Sequence, residues 1–407
     1  MTDLFRALRV SLAIAGSAAL APAVALAQAE APVAVSAGVS YEMIGRYDVD
    51  RLNRILTVEA PEFFGVTVPY TPAQNAVRLY RVTYPSVIPE RANQPTVATG
   101  LLAVPDTGAT TFPLVSYQHG TVYGKQEVPS FPEQSAETLL MIAQFAGQGY
   151  LLIGADYFGM GLSTEPEGYM VKASHQQATH DMLVAGRAVL ADLQLDAPDL
   201  FLAGWSQGGF VTMAMLETLE RVGVPVRAAA TASAPLDVKA ALSGFLNFPR
   251  DMDAEWIGTL FILSSFSFEH YYQVPGLARA LLADEHYEVA RKAHAREPFD
   301  PAAVPTDLRA LIRPEYFDPT FFAASAYGRL LAETQAYRWV IQTAVRNYYG
   351  DADEAITPGV GRLAMTYQGA MGRGNPAVEA LSTGDTTHRG TYAVAVPEWK
   401  LWFDSLR

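Results

Sequence analysis

The chain has 407 residues, half of them apolar and 11% aromatic, with 42 acidic against 29 basic side chains, a formal net charge of −13 and no cysteine. That much apolar surface excludes a disordered chain, and the acidic balance argues against nucleic acid, whose binding rests on Lys and Arg neutralising phosphates. The missing cysteines exclude disulfides, iron–sulfur clusters, thiolate–zinc sites and a cysteine nucleophile, while at roughly 100–200 residues per domain the length allows two or three units or one large domain with an insertion.

The chain opens on Arg6 and Arg9, an apolar run from Val10 to Leu20, and Ala25-Leu26-Ala27. A basic start, a hydrophobic stretch and an A-x-A site describe a secretory signal peptide over residues 1–27. The expected destination is export, to the periplasm or the medium, with no stable membrane anchor once the leader is cut. Cleavage removes Asp3, Arg6 and Arg9, a net +1, so the remaining charge is −13 − 1 = −14. Residues 28–40 read as a disordered lead-in.

Val77–Tyr84 alternates apolar and polar residues, and Thr96–Val104 follows it, so the two are expected to form an antiparallel hairpin. Four short apolar runs come next: Phe112–Tyr117, Tyr150–Gly154, Leu200–Gly204 and Val226–Thr231. Continuous apolar strands are those of a parallel sheet covered on both faces. Helical patterns separate them, over Glu137–Gln148, Ser174–Leu193 and Gln207–Val222. The expected fold class is α/β, a mostly parallel central sheet flanked by helices. The rhythm breaks over 236–335, which is aromatic and helical (Ala278–Ala295, Phe321–Glu333) and reads as a helical cap inserted late in the sheet, between core segments 41–235 and 336–407. A last strand pattern, Val345–Tyr349, another before His388, and an amphipathic helix over Tyr392–Leu406 close the chain.

Ligands in such folds sit beyond the carboxyl ends of the strands. After Leu200–Ala203 comes Gly204-Trp-Ser206-Gln-Gly208, running into a helix. A serine on so sharp a strand-to-helix turn needs glycines two residues before and after it, here Gly204 and Gly208, to avoid collision. Ser206 is the candidate nucleophile. A serine hydroxyl needs a base, and in this topology the acid and then the histidine follow it. His388, in the turn-rich Gly384-Asp-Thr-Thr-His388-Arg-Gly390, is the candidate base; His270, His286 and His294 fall in the cap and read as surface or packing residues. Asp353, after the strand Val345–Tyr349, is the candidate orienting acid, with Asp351 and Glu354 as alternatives that read as solvated turn residues. The developing oxyanion needs backbone donors, expected from the amides of Gln207 and of Thr121 in Gln118-His119-Gly120-Thr121; His119 reads as a brace for that loop. Asp156-Tyr-Phe-Gly159-Met-Gly161 lacks the third glycine of a dinucleotide site and reads as structural. Trp205, Phe266, Tyr271 and Tyr272 are candidate substrate-lining aromatics.

These strand-end motifs, in this order, together with His388-Arg-Gly-Thr391, resemble the α/β-hydrolase superfamily and within it the secretory lipase (lipase A-like) family. The resemblance spans about residues 75–405. It implies a metal-independent, cofactor-free Ser-Asp-His esterase or lipase acting on a small-molecule ester or lipid. Two departures stand out: the disulfides common in that family are absent, and Glu354-Ala-Ile-Thr-Pro358 is a residue longer than its usual spacing. The expected function is an exported serine carboxylic-ester hydrolase. A serine peptidase on the same fold is the first alternative, and a non-catalytic hydrolase-fold binding protein the second.

Overall fold

The computed structural model describes residues 32–372 and 374–407. The leader expected at 1–27, and residues 28–31, lie outside that range. From Val33 onward the chain is already in the sheet. Strand β1 (Val33–Ser36) turns through Ala37-Gly38 into β2 (Val39–Tyr47), which pairs antiparallel with β3 (Ala76–Ile88). The disordered lead-in expected over 28–40 is therefore corrected for residues 33–40. These are small residues, Val33-Ala-Val-Ser36 and Val39-Ser40 on either side of Ala37-Gly38, in runs too short to mark a strand locally. Order comes instead from the edge of β3 and from Tyr41, buried against Tyr80 with its hydroxyl donating to Asp192 at 2.9 Å.

The expected hairpin is β3 with β4 (Gln94–Asp106). The apolar runs become β5 (Leu114–Gln118), β6 (Leu151–Ala155), β7 (Leu200–Trp205) and β8 (Ala228–Ala232), followed by β9 (Ala344–Tyr349) and β10 (Val378–Ser382). One ten-stranded sheet results, in the order β1-β2-β3-β4-β6-β5-β7-β8-β9-β10. It is parallel from β6 to β10 and antiparallel before that. Both faces are covered, which is why these strands read as unbroken apolar runs. Along β7, Leu200 and Leu202 enter one core cluster, while Phe201, Ala203 and Trp205 enter the cluster on the opposite face.

Helices α1 (Ala136–Gln144), α2 (Lys172–Asp192) and α3 (Gln207–Val222) link the parallel strands. Between β8 and β9 the chain leaves the sheet and is helical wherever it is regular, starting with α4 (Val238–Asn247) and α5 (Gly258–Tyr271). The neck of this excursion is closed by a bridge between Asp237 and Gln335 and by Ala336 N–H donating to Leu236 O at 2.9 Å. Both helices expected inside it are broken. Leu282 is extended and bridges to Ile312, splitting 278–295, and Ser325 ends one helix while capping the next through Gly328 N–H. The closing helix, α6 (His388–Asp404), begins four residues earlier than its apolar pattern suggested, because Thr387 caps it by accepting the Gly390 N–H.

In-register pairing brings the strand ends level. Gln118 of β5 lies beside Gly204 of β7, Trp205 beside Ala232 of β8, and Ala232 beside Tyr348 of β9. The loops that follow these residues share one rim of the sheet.

Candidate active site

At the end of β7 the chain reverses into α3 on a single residue. Ser206 has φ +55° and ψ −123°, a conformation costly for a residue with a side chain. The two glycines expected around it are required by contact. A Cβ on Gly204 would collide with Gly208 O and Thr212 Oγ1, and one on Gly208 with Gln118 O. The tight turn leaves the half-buried Ser206 at the first turn of α3, where the Gln207 N–H has no intrahelical acceptor.

His388, first residue of α6, reaches this hydroxyl. Ser206 Oγ lies 2.9 Å from His388 Nε2, and His388 Nδ1 lies 3.0 and 3.1 Å from the two carboxylate oxygens of Asp353. Asp353 is fully buried and also accepts the N–H groups of Ala355 and Ile356, each at 2.8 Å. Burial alone would raise its pKa, but the imidazole and these donors outweigh it and hold the carboxyl below its ordinary range. For His388 burial works to lower the pKa, and the Asp353 charge and hydrogen bond reverse this, holding it above 6.5. Asp351, the alternative acid, is exposed and accepts from Ser382 Oγ at 2.9 Å. Glu354 is not the solvated bystander expected: its Oε2 accepts the backbone N–H of His388 at 2.8 Å. Among the described residues, no other histidine contacts Ser206; His270 lies against Arg91 and His294 stacks on Phe266.

The loop after β5 packs on the same turn, and Thr121 N–H has no acceptor among the described residues. Thr121 Oγ1 lies 3.1 Å from Tyr169 OH. His119 is the expected brace. Its Nδ1 lies 2.8 Å from Gly120 O, its Nε2 3.2 Å from Asp156 O, and its ring stacks on Tyr157. Burial pushes its pKa down to about 4, so the ring is neutral. Asp156 and Gly161 are structural as well: Asp156 accepts from Thr99 Oγ1 at 2.6 Å and from Ser130 N–H at 2.9 Å, and a Cβ on Gly161 would collide with its carboxylate.

No protein-family model matches the chain, and no curated protein sequence does. Solved structures match closely in shape. A presumed hydrolase of Legionella pneumophila superposes with a TM-score of 0.79 at 20% identity, over 90% of this chain and 97% of that one. The rice cell wall degrading esterase LipA of Xanthomonas oryzae gives 0.73 at 20%, over 90% and 98%. Candida antarctica lipase A gives 0.57 at 14%, over 85% and 77%. The fold is that of the α/β-hydrolases. Within that fold, Ser206, Asp353 and His388 occupy the ends of β7, the loop after β9 and the start of the last helix.

The α/β-hydrolase core and the inserted helices enclose an apolar pocket against Ser206 and Gln207, lined by Tyr169, Met170, Leu242, Phe245, Trp256 and Leu260 among others, with no charged side chain on its wall. None of the four aromatics expected to line a substrate site is there. Trp205 lies beneath, donating from Nε1 to His388 O at 3.1 Å and stacked on Tyr392. Phe266 and Tyr272 pack inside the helical segment, against Tyr287 and Phe268, and the Tyr271 hydroxyl donates to Pro166 O in the loop between β6 and α2. These are interior contacts of α5 with its neighbours, invisible to a count of aromatics. Leu242 and Phe245 come from α4, Leu260 from α5 and Trp256 from just before it, while Tyr169 and Met170 come from the loop between β6 and α2. No local pattern marks them apart from core, because only the docking of these helices on the sheet turns one face toward Ser206. Trp256 is the exception in position: its ring stands 5.9 Å from that of His388 on one side, with Trp205 at 5.1 Å on the other.

Among the described residues, no group of three or more His, Asp or Glu side chains is placed to hold a metal ion, and no helix is long and apolar enough to cross a membrane.

Proposed function

We propose that the chain is a serine carboxylic-ester hydrolase, exported after removal of residues 1–27, and that it works through an acyl-enzyme on Ser206. The observation that carries this reading is the continuous hydrogen-bonded line from Ser206 Oγ through His388 to buried Asp353, at 2.9 and 3.0 Å. A neutral imidazole accepts at Nε2, and the Asp353 carboxylate holds the other nitrogen as the donor.

In the first half of the reaction Ser206 Oγ attacks the ester carbonyl carbon and its proton passes to His388 Nε2. The N–H groups of Gln207 and Thr121 receive the oxyanion, and Asp353 stabilises the imidazolium. The tetrahedral species then expels the alcohol, which takes the proton from His388. In the second half water attacks the acyl carbon and gives its proton to His388; the acid departs as Ser206 Oγ recovers that proton. No cofactor enters either half.

An uncharged wall beside Ser206 suits an acyl chain and offers no ion to a peptide terminus, which favours an ester over a peptide substrate. The named esterase and lipase among the similar structures point the same way. The test is a series of p-nitrophenyl esters, acetate to palmitate, set against an aminoacyl-nitroanilide, with wild type and Ser206→Ala. Ester turnover that is lost in the variant is expected; anilide cleavage without ester cleavage would turn the reading to a peptidase. Mass measurement of the exported protein tests cleavage after Ala27.

A further inference from the structure

A carboxyl group that no step of the proposed reaction uses lies beneath the Gly120–Thr121 loop. Glu137, in the first turn of α1, is 5% exposed, and both of its oxygens accept the Gly120 N–H, at 2.9 and 3.0 Å. A Cβ on residue 120 would stand 3.2 Å from Glu137 Oε2 and 3.3 Å from both the ring and the carbonyl of Trp205. The loop thus lies in tight contact between the carboxyl group and the Ser206 turn, with little room for a side chain at residue 120. The ionisable groups facing Glu137 are phenols, Tyr117 of β5, Tyr157 after β6 and Tyr392 of α6, and no positive charge among the described residues offsets it. The Tyr392 hydroxyl donates to the Glu137 backbone carbonyl. A buried carboxyl group without a cation costs stability relative to an apolar side chain of similar shape. What it supplies here is an acceptor for the Gly120 N–H, with the Tyr117 hydroxyl of β5 beside the same carboxyl.

We propose that Glu137 is the positioning residue of the oxyanion loop: by accepting the Gly120 N–H it fixes the backbone that aims the Thr121 N–H at the substrate oxygen. Gly120 is then tied on both sides, its N–H by Glu137 and its carbonyl by His119 Nδ1 at 2.8 Å. With both peptide planes of Gly120 held, the direction of the next N–H, that of Thr121, is set. Tyr169 holds the Thr121 hydroxyl from the pocket side. This role rests on the reaction proposed above, in which Thr121 N–H receives the oxyanion.

Burial pushes the Glu137 carboxyl up to about 8, so at neutral pH it accepts as an uncharged acid. Ionisation above that value places a full negative charge behind the loop that must receive another. The rate is therefore expected to fall on the alkaline side, with a midpoint near pH 8.

Two variants and two readouts test this. Glu137→Met removes the acceptor at similar length; Glu137→Gln restores an acceptor that cannot ionise. In the Met variant kcat is expected to fall about 10- to 100-fold, below the loss for deleting a donor outright, with KM within about two-fold because ground-state binding is untouched. Labelling of Ser206 by a fluorophosphonate, whose phosphoryl oxygen uses the same donors, is expected to slow by a similar factor. The Gln variant is expected to recover most of the loss and to lack the limb near pH 8. A folded Met variant with wild-type kcat and labelling rate would overturn the proposal, even if its melting temperature fell. So would a pH 8 limb that persists in the Gln variant, a comparison that stands if the Met protein does not fold. Labelling needs no ester, so a wild type that labels but hydrolyses no ester overturns the ester reading while leaving the Glu137 comparison legible.

Discussion

Glu354 and His388 are joined by a 2.8 Å hydrogen bond from the His388 backbone N–H to Glu354 Oε2, while the neighbouring Asp353 takes the ring of the same histidine. Two consecutive residues thus grip both the main chain and the side chain of the candidate base. The N–H concerned is the first of α6 and has no acceptor within the helix. A negative charge there also suits the positive end of the helix.

Asp353→Asn is expected to lower kcat by about 10³- to 10⁴-fold, since an amide supports the wrong imidazole tautomer. Asp351→Asn is expected to stay within about two-fold, because Asp351 is exposed and its carboxylate accepts from Ser382 rather than from His388. Steady-state kinetics of the two variants decide it; the reverse order would move the acid two residues back.

The acidic limb of kcat/KM should report His388, which must be neutral to accept the serine proton. Asp353 raises the His388 pKa above 6.5, so activity is expected to be lost as pH falls through a midpoint above that value. In Asp353→Asn the larger raising influence is gone and burial is opposed only by the weaker Glu354 charge, which moves the midpoint of the residual activity downward. A pH profile of both proteins checks the direction; an unshifted limb would mean that another group titrates.

Gly208→Ala tests the turn itself. The added Cβ would meet the backbone of Gln118 and His119, which cannot rotate aside as a side chain could. Destabilisation of about 3 kcal/mol or more is expected, at or beyond the upper end for overpacked sites. A denaturant titration showing wild-type stability would contradict the close approach of β5 to α3.

The apolar pocket predicts a chain-length effect. Ala241 of α4 lies on its wall, and Ala241→Leu would occupy space there. Butyrate and hexanoate esters are expected to lose about ten-fold in kcat/KM, the scale of a few misplaced methylenes, with acetate nearly unchanged. Equal losses across the series would place the acyl chain elsewhere.

How much of this could be read from residues alone depended on how local the cause was. The Gly204-x-Ser206-x-Gly208 spacing is a steric rule within five residues, and β7 and α3 flank it as the apolar run and the helical pattern indicated. Chain order brought His388 and Asp353 forward as candidates, and the folded chain places them in one line with Ser206. The expectation for Thr121 rests on its place after β5 alone. The misses are long-range. Residues 33–36 become strand only by pairing with β2, which itself pairs along the edge of β3, and the helical stretch 388–391 reads as loop until Thr387 is seen to cap it. Phe266, Tyr271 and Tyr272 look like pocket aromatics, yet the packing around α5 turns them inward. Glu137, the one charged residue of a mostly apolar helix, gives no hint in its neighbours that Gly120 will arrive above it.

The most direct measurement is rapid quenching of the wild-type protein with p-nitrophenyl acetate, followed by peptide mass analysis. One acetyl group on the peptide containing Ser206, absent from Ser206→Ala, is the predicted result. Ester turnover with no acyl group on Ser206, or with the label on another residue, would contradict an acyl-enzyme at this serine.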